Sequence, residues 1–327
     1  MGSSQTEAYN FVPRRLLRGG HVQTIAAFLL RRRVRLPPAE SRLVEVEPGI
    51  SVLCHCHWQA DRKSALTILI VHGLEGSSES QYMLGIAAKG LALGMNVVRM
   101  NQRNCGGTES ATLYHSGRSD DVAAVARHIL DHDRISRFAL AGFSMGGNLV
   151  LKLAGEWGSA APPQLRAVAT VCPAVDLAAS ADALHLKSNR LYEYYFVWKL
   201  RQRLRAKARM FPEVFDLERL SGVFTLRDFD DRVTAYYSGF TGADDYYSRS
   251  SAANVLDRVA VPALILNAAN DPFIRILPET RKKILANPKI EFVETDDGGH
   301  CSYVGRRDGY DGFWAERQVV EFLKRFG

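Results

Sequence analysis

The sequence predicts an α/β fold with a mostly parallel central sheet, helices on both of its faces and an inserted helical cap. Three observations support this fold class. Nearly continuous apolar strands alternate with helix patterns, which is typical of a parallel sheet covered on both sides. A strand runs through a sharp turn into a helix at residues 138–151. One long segment, residues 176–257, lacks a clear strand pattern, and we expect helices there because long structureless loops are rare in compact domains.

Composition and cysteine usage indicate a globular protein with reduced thiols. Of the 327 residues, 46% are hydrophobic and 24% are charged, which is ordinary for such proteins. No apolar run approaches the roughly 20 residues that span a bilayer, so we expect a cytoplasmic protein. The five cysteines are an odd, scattered set, which fits free thiols better than a disulfide framework. In the run Cys54-His55-Cys56-His57, a strand places cysteines and histidines on opposite faces, so we predict a strand and not a metal site.

The net charge of +7 is concentrated in two clusters, one near the N-terminus and one in the middle of the chain. The N-terminal cluster comprises Arg14, Arg15, Arg18, Arg31, Arg32, Arg33 and Arg35, and the middle cluster comprises Lys199, Arg201, Arg203, Arg205, Lys207 and Arg209. Such clusters are usually solvated faces, although they can meet anionic lipid head groups. We expect weak peripheral membrane contact at most and no nucleic-acid partner, and the sequence leaves the oligomeric state open.

The first half of the chain predicts a basic arm followed by the start of the sheet. The arm is partly helical and ends near the Pro37-Pro38 pair. Two extended runs joined by Pro48-Gly49 predict an antiparallel pair at the sheet edge. Ser119 is a candidate N-cap for an amphipathic helix. The elements predicted here, in chain order, are strands 41–47, 50–58 and 66–71, a helix at 84–94, a strand at 96–100, the helix after residue 119 and the strand before Ser144.

The second half predicts three further sheet strands, interrupted by the cap. These elements are strands 167–171, 263–267 and 290–294, with helices at 279–285 and 313–326. The predicted division is residues 1–175 for the arm and first part of the core, 176–257 for the cap, and 258–327 for the second part of the core. Within the cap, helical spacing relates Phe196, Leu200, Leu204 and Ala208. Aromatic residues nearby would either line an acyl pocket or serve as packing, and they are Tyr192, Tyr194, Tyr195, Phe196 and Trp198.

The stretch that organises the chain is a Gly-x-Ser-x-Gly turn between strand and helix. A serine hydroxyl is a weak nucleophile unless a base removes its proton, so the fold must present Ser144 at a sharp turn. Gly142 and Gly146 flank it because side chains there would collide with neighbouring backbone. The helix that follows brings free N–H groups and a dipole that favour negative charge beside the serine.

The base and the acid must follow the serine along the chain in this topology. Only His300 lies after the last strand in a glycine-bracketed loop, and His115 is a reserve. Asp271 is the favoured acid because it follows strand 263–267, at the carboxyl end where α/β sites collect. Asp296, Asp297 and Asp176 are the alternatives.

An oxyanion hole needs two preorganised N–H donors, each typically worth roughly 2.7–4 kcal/mol. Met145, directly after the nucleophile, is predicted to supply one. The loop after strand 66–71 should supply the other, and Leu74 is the candidate. We expect His72 to brace that loop and not to act in proton transfer. The sequence implies no metal and no organic cofactor.

Several blocks outside the elbow carry a family resemblance. They are GGHVQT at 19–24, HGLEGSSES at 72–80, NQRNCGGTE at 101–109, NDPF at 270–273 and GGHC at 298–301. With these blocks the chain resembles a subfamily of the α/β-hydrolases that comprises bacterial predicted hydrolases and the membrane-tethered α/β-hydrolase-domain proteins one and three. The resemblance covers nearly the whole chain and implies a Ser144–Asp271–His300 triad acting on carboxylic esters. The tethered relatives carry an N-terminal membrane helix, which this sequence does not show, and the natural ester stays open.

The predicted function is therefore hydrolysis of a small-molecule or lipid-like carboxylic ester through an acyl-serine intermediate. The cap aromatics favour a short-to-medium acyl chain. Alternatives that keep the triad are an acyltransferase or a thioesterase. A non-catalytic ligand-binding protein of the same fold is the remaining alternative, because this fold can bind without turnover.

Overall fold

The computed structural model describes residues 9–30 and 32–327. Residues 1–8 of the predicted arm, and Arg31 of its basic cluster, lie outside the described residues. Eight strands form one sheet in the order β1-β2-β4-β3-β5-β6-β7-β8. Their bounds are β1 Glu40–Glu47, β2 Ile50–His57, β3 Thr67–Val71, β4 Asn96–Met100, β5 Phe138–Phe143, β6 Leu165–Val171, β7 Ala263–Ala268 and β8 Ile290–Thr295.

The sheet is parallel except at one edge. β1 pairs antiparallel with β2, and β2 pairs antiparallel with β4, whereas the other neighbours are parallel. This confirms the predicted α/β class and the antiparallel pair at the edge. The run Cys54-His55-Cys56-His57 lies within β2, as predicted.

Ten α-helices connect or flank the strands in the described part of the chain. Their bounds are α1 Gly20–Leu29, α2 Gln81–Ala92, α3 Ser119–His132, α4 Met145–Trp157, α5 Leu177–Leu184, α6 Arg190–Met210, α7 Leu226–Phe229, α8 Ala243–Ser250, α9 Pro278–Ala286 and α10 Trp314–Lys324. A π-helical turn, Asp230–Ala235, follows α7 directly. The candidate cap Ser119 is instead the first residue of α3, and its hydroxyl donates to Glu156 at 2.6 Å. That prediction was wrong because a carboxylate on α4 competes for the hydroxyl.

The alternation of side chains along each strand creates two cores. Ile68 and Ile70 of β3 face one side of the sheet, together with apolar residues of α2 and α10. Leu69 and Val71 face the other side, together with residues of α3 and α4. β3 and β5 are buried along their whole length, which explains why they read as continuous apolar runs.

The segment between β6 and β7 is helical and covers one end of the sheet. It contains α5, α6, α7, α8 and the π-helical turn. Apolar residues such as Leu200, Leu204 and Phe229 belong to the same core cluster as Ile68 and Ile70. The helical segment is therefore packed on the sheet, above the carboxyl ends of its parallel strands.

Candidate active site

Ser144 lies at the strained turn between β5 and α4. Its backbone has φ 54° and ψ −119°, a conformation that residues with side chains rarely adopt. Its N–H donates to the carbonyl of Val171 at 3.0 Å. A Cβ on Gly142 would lie 2.3 Å from the Gly146 carbonyl oxygen, and one on Gly146 would lie 2.3 Å from the Val71 oxygen. Both glycines are therefore required for the close approach that exposes the serine.

Asp271 and His300 form a hydrogen-bonded pair. Asp271 Oδ2 lies 2.9 Å from His300 Nδ1, and its Oδ1 accepts the N–H groups of Phe273 at 3.0 Å and Ile274 at 2.9 Å. Burial disfavours the charged carboxylate, but the His300 ring and these two amides outweigh it, so the pKa of Asp271 lies below its ordinary value. An ionised Asp271 directs the ring proton to Nδ1 and leaves Nε2 as an acceptor.

The loop that carries His300 is held by the N-terminal arm and by the Asp271 loop. The His300 N–H donates to Thr24 Oγ1 at 2.9 Å, and the Gly299 N–H donates to Asn270 Oδ1 at 3.1 Å. The His300 ring also packs on Phe273, with centroids 4.3 Å apart. Sequence reasoning on catalysis missed Thr24 and Asn270. The signal was present, because both lie in the blocks that carried the resemblance.

The structure brings the His300 loop beside Ser144 without a hydrogen bond between their side chains. The Val171 carbonyl accepts from the Ser144 N–H and, at 3.4 Å, from the Cys301 thiol, so both segments meet at one oxygen. Among the residues described, no hydrogen bond joins Ser144 Oγ to His300. His300 Nε2 lies 3.8 Å from Cys301 Sγ. Catalytic hydrogen bonds often tighten only when substrate binds.

In the described ranges, one group of side chains lies close enough together to hold a metal ion, and it consists of His300 and two neighbouring thiols. The ligand atoms of Cys172, His300 and Cys301 lie within 4.8 Å of one another. Thiolate and imidazole suit zinc and other soft cations. Burial raises the pKa of the Cys301 thiol well above its ordinary value, so a cation would have to displace a tightly held proton.

The two candidate oxyanion donors, Leu74 and Met145, flank Ser144. Met145 is the first residue of α4, so its N–H is one of the helix donors without an intrahelical acceptor. Leu74 follows Gly73, where a Cβ would lie 3.2 Å from Ser144 Cβ. Leu74 and Met145 also pack in one small apolar cluster. The Met145 amide thus directly follows the nucleophile, and the loop that carries Leu74 passes close to it.

Neutral His72 braces the Leu74 loop. Burial lowers the pKa of His72 to about 4. Its Nδ1–H donates to the Gly73 carbonyl at 2.8 Å, and its Nε2 accepts the Gln102 N–H at 3.1 Å. Both ring nitrogens are therefore occupied, which leaves none for proton transfer.

A salt bridge links the same loop to α6. Arg203 Nε donates to Glu75 Oε1 at 2.8 Å, and a second guanidinium nitrogen donates to Oε2 at 3.1 Å. The Glu75 N–H donates to Tyr114 Oη at 3.1 Å, and the Tyr114 hydroxyl donates back to Glu75 Oε1 at 2.6 Å. Glu75 itself has φ 55°. A bidentate pair between an inserted helix and the residue after Leu74 was not predicted, because no pattern relates positions 75 and 203.

A cavity of about 930 Å³, counting its opening to solvent, lies between the helical segment and Ser144. Ser144, Leu74 and Met145 line it. Most of the remaining wall is apolar, and its members include Leu113, Ala174, Leu177, Ala181, Leu184, Phe196, Leu200, Leu204, Leu226, Phe229, Phe273 and Ile274. Such a wall suits an aliphatic chain extending from the reacting carbonyl.

A buried acid interrupts this apolar wall. Asp230, in the π-helical turn, accepts hydrogen bonds from Thr234 Oγ1 at 2.8 Å and from the Tyr247 hydroxyl at 2.7 Å. Burial raises the pKa of Asp230 to about 6. All three residues line the cavity. The reserve base His115 also lines it, but burial lowers its pKa to about 3, so it is neutral at pH 7.

For the cap aromatics, the sequence left open whether they line an acyl pocket or serve as packing. Phe196 lines the cavity. Tyr194, Tyr195 and Trp198 are instead 71%, 38% and 45% exposed. The reason is helical periodicity, since positions 194, 195 and 198 lie on the face of α6 opposite Leu200 and Leu204.

The chain matches a family model described as "alpha/beta hydrolase fold" over residues 67–306. It is 28% identical over 324 residues to YheT of Escherichia coli strain K12. The name of that protein describes it as an esterase and marks this description as provisional. That match covers 97% of this chain and 93% of YheT. Phospholipase ABHD3 of Mus musculus is 32% identical over 263 residues, and the match covers 79% of this chain and 61% of the mouse protein.

Another relative and a solved structure extend the comparison. A Saccharomyces cerevisiae protein named medium-chain fatty acid ethyl ester synthase/esterase 2 is 26% identical, over 79% of this chain and 62% of its own length. The chain therefore spans less than two thirds of the mouse and yeast relatives. A crystal structure of the Pyrococcus furiosus esterase Pf2001 superposes with a TM-score of 0.59 at 17% identity, over 90% of this chain and 96% of that one. At that identity the likeness concerns the fold.

Proposed function

This chain belongs to the α/β-hydrolase family, and from that premise we propose that it is a serine hydrolase of carboxylic esters, with Ser144 as nucleophile, His300 as base and Asp271 as the orienting acid. The observation that carries the proposal is the 2.9 Å contact between His300 and a buried Asp271, on a loop that meets the strained Ser144 turn at one carbonyl. Strained backbone concentrates at functional sites, and α4 begins directly after the serine.

The proposed reaction proceeds through an acyl-serine intermediate. His300 Nε2 takes the Ser144 proton as Oγ attacks the ester carbonyl, and the Leu74 and Met145 N–H groups stabilise the resulting oxyanion. His300 then donates the proton to the departing alcohol. Water, deprotonated by the same nitrogen, attacks the acyl-enzyme, and the acid is released as the bond to Oγ breaks and His300 returns the proton to Ser144. Asp271 stays ionised throughout and stabilises the imidazolium.

The proposed substrate is an ester with a short-to-medium apolar acyl chain. The support is the apolar cavity that Ser144 lines, and the esterase names of relatives agree with an ester substrate. A series of p-nitrophenyl esters of increasing chain length tests this. We expect kcat/KM to rise with chain length and then fall when the chain exceeds the cavity.

The mechanism is tested by Ser144→Ala, with Ser116→Ala as the matched control because Ser116 lines the same cavity. We expect Ser144→Ala to lose hydrolysis and labelling by a fluorophosphonate probe, whereas Ser116→Ala keeps both. Equal hydrolysis by wild type and Ser144→Ala would reject the mechanism. An unlabelled wild type would favour the ligand-binding alternative.

Acyl transfer to an alcohol is the second candidate, and the name of the yeast relative supports it. The acyl-enzyme would be the same, and an alcohol would replace water as the acceptor. Product analysis of an acyl donor incubated with and without ethanol separates the two. An ester product at the expense of free acid indicates transfer, and the same assay with a thioester donor tests the thioesterase alternative.

We also propose a division of the chain into core and cap, and a location in the cytoplasm. We retain 176–257 as the cap unit, supported by the helices that cover the cavity. A cytoplasmic location is supported by the five cysteines, all of which are free thiols. None of the helices in the described part of the chain has the length and apolar content needed to cross a bilayer.

A further inference from the structure

One face of the molecule combines exposed apolar side chains from α1 and α6. We name it the apolar patch and define it by Ile25, Phe28 and Leu29 of α1 with Leu191, Tyr194 and Trp198 of α6. Phe28, Leu191 and Tyr194 are 74%, 82% and 71% exposed. Clustered side chains of this size in water usually mark an interaction site, whereas scattered ones do not.

The two helices form one continuous surface. The Phe28 ring contacts the Tyr195 ring edge-on, with centroids 6.2 Å apart. One turn away, His21 stacks on Tyr192 at 5.7 Å, and their polar atoms lie 3.1 Å apart. Segments nearly 170 residues apart in sequence are therefore joined in a single patch.

The two segments that carry the patch are rich in cations and contain almost no acid. Residues 9–39 include no Asp or Glu, and residues 186–212 include only Glu193. Glu193 is buried and accepts from the Leu226 N–H at 3.2 Å, so it offers no negative charge to a partner. Arg18 and Arg190 are exposed beside the patch, and Lys199 lies 5.9 Å from the Tyr195 and Trp198 rings.

Only part of the predicted middle cluster remains available for a partner. Arg203 is engaged by Glu75, Arg201 donates to the Val223 carbonyl at 2.7 Å, and Lys207 donates to the Ser110 carbonyl at 2.6 Å. The cations around the patch come instead from the N-terminal arm and from the first half of α6. The cations available for docking thus lie beside the exposed aromatic side chains of the patch.

We propose that α1 and α6 dock this protein on an anionic lipid surface through the apolar patch. Aromatic residues with one wet edge favour the head-group region, aliphatic ones enter the acyl boundary, and surrounding cations attract anionic lipids. A second copy of this chain fits less well, because the cations beside the two patches would repel each other. Nucleic acid would leave the aliphatic members Ile25, Leu29 and Leu191 without a partner.

The patch adjoins the active site, which suggests what docking accomplishes. Tyr192 packs on Phe273 at 5.5 Å, and Phe273 packs on His300 at 4.3 Å. Thr24 of α1 accepts the His300 N–H. Docking would bring the cavity mouth to a source of lipid-like esters. That consequence rests on the proposed function, whereas the docking itself does not.

The test is co-sedimentation of the full-length Ser144→Ala protein with vesicles, which separates binding from turnover. Vesicles of phosphatidylcholine alone are compared with vesicles containing phosphatidylglycerol. We expect binding to the anionic vesicles only, weakening as salt is raised. Arg190→Ala and Lys199→Ala should each lower the affinity about fivefold. Phe28→Ser combined with Trp198→Ser should abolish binding.

Matched controls test whether the loss of any exposed apolar side chain weakens vesicle binding. Phe224→Ser and Leu285→Ser remove side chains that are 81% and 66% exposed outside the patch, and we expect unchanged binding. Tryptophan emission should shift to the blue on vesicle addition in the Ser144→Ala protein, and this shift should be absent once Trp198→Phe is added. Circular dichroism checks that each variant is folded.

Three results would overturn the proposal. The first is equal binding to neutral and anionic vesicles, and the second is an equal loss of binding in patch and control variants. The third is a protein that does not bind vesicles but instead self-associates or binds oligonucleotides, and that loses this binding in the patch variants. Vesicle binding by Ser144→Ala, together with a wild type that hydrolyses no ester, would leave docking intact and refute the proposed function.

Discussion

At Ser144, the strain in the backbone and the proposed chemistry belong to the same residue. A positive φ in a residue with a side chain costs of order 1–3 kcal/mol, and the surrounding packing must enforce it. The enforcement is visible in Gly142 and Gly146, whose absent side chains let the turn close. The side chain of Ser144 is therefore held where reactivity requires it and not where stability would place it.

Replacing Ser144 with glycine should raise stability while removing activity. Glycine adopts φ 54° without strain, and we expect the free energy of unfolding to rise by about 1 kcal/mol after the extra entropy of the unfolded chain is subtracted. Ser144→Ala is the control, because alanine keeps the strain. Urea denaturation of the three proteins measures this, and equal stability of the Gly and Ala variants would show that the turn is unstrained.

The buried carboxyl of Asp230 predicts a pH-dependent stability. Burial raises its pKa from 3.8 to about 6, so the folded protein holds this proton more tightly than the unfolded chain does. Protonated Asp230 contributes its full stabilisation to the free energy of unfolding below about pH 4. This stabilisation is lost as the pH rises through about 6, which lowers the free energy of unfolding by about 1–3 kcal/mol.

Asp230→Asn cannot lose that proton. Its stability relative to wild type should therefore increase between pH 4 and pH 7, measured by urea denaturation across that range. Glu213→Gln, at an exposed position in the same helical segment, is the control and should track wild type. A constant difference between Asp230→Asn and wild type at all pH values would contradict the assignment.

At the scale of elements, α6 has two faces with different roles. Phe196, Leu200 and Leu204 line the cavity, and Arg203 on the same side reaches Glu75 in the loop that carries Leu74. The opposite side carries the apolar patch. One helix thus contacts the acyl cavity, the loop of a candidate oxyanion donor and solvent.

Removing Arg203 should therefore impair catalysis more than substrate binding. Without the guanidinium, the buried Glu75 carboxylate keeps only the Tyr114 hydroxyl and has no cationic partner, so we expect the Leu74 amide to lose its fixed position. We expect Arg203→Ala to lower kcat about tenfold, equivalent to about 1.4 kcal/mol, with a smaller change in KM.

A double-mutant cycle identifies the pair as the cause. Glu75→Gln should have a similar effect, and the double variant should lose no more than either single variant. Arg205→Ala is the control, because Arg205 makes no polar contact within the residues described. Additive losses in the double variant, or an equal loss in Arg205→Ala, would argue against the pair.

At the scale of the whole molecule, the N-terminal arm is part of the folded unit. Gln23 is buried, and its side chain accepts the Val304 N–H at 2.8 Å and donates to the Val304 carbonyl at 3.1 Å. Arg32 donates to Glu316 of α10, and Lys89 of α2 donates to the same carboxylate at 2.9 Å. The arm is thereby connected to α10, to Val304 and to the His300 loop.

Truncating Glu316 should destabilise the molecule strongly. Arg32 and Lys89 converge on a carboxylate whose side chain is 5% exposed, and removing it leaves the half-exposed Asp311 as their only carboxylate partner among the residues described. We expect Glu316→Ala to lower the free energy of unfolding by about 3–5 kcal/mol, measured by urea denaturation. Glu321→Ala, exposed on the same helix, should change it by no more than about 0.5 kcal/mol. Comparable effects of the two variants would contradict this account.

The local patterns determined the parts of the protein that short-range physics controls. Apolar periodicity located the eight strands, glycine spacing located the Ser144 turn, and chain order after the turn selected Asp271 and His300, which the structure places in contact. These succeed because a strand, a turn or a strand end is specified by neighbouring residues. Local patterns predict helix starts less well, as Ser119 shows, because a hydroxyl can form a hydrogen bond with a residue outside its own helix.

Contacts between distant segments were decided by the tertiary structure alone. No pattern in the sequence relates Thr24 to His300, Arg203 to Glu75, or Phe28 to Tyr195. Periodicity could show that α6 has two faces, but only packing determined which aromatic residues entered the cavity and which remained in water. The sequence thus determined the fold and the chemical groups, and the three-dimensional packing determined which of those groups meet, because pairing across long separations depends on the whole folded chain and not on any local stretch.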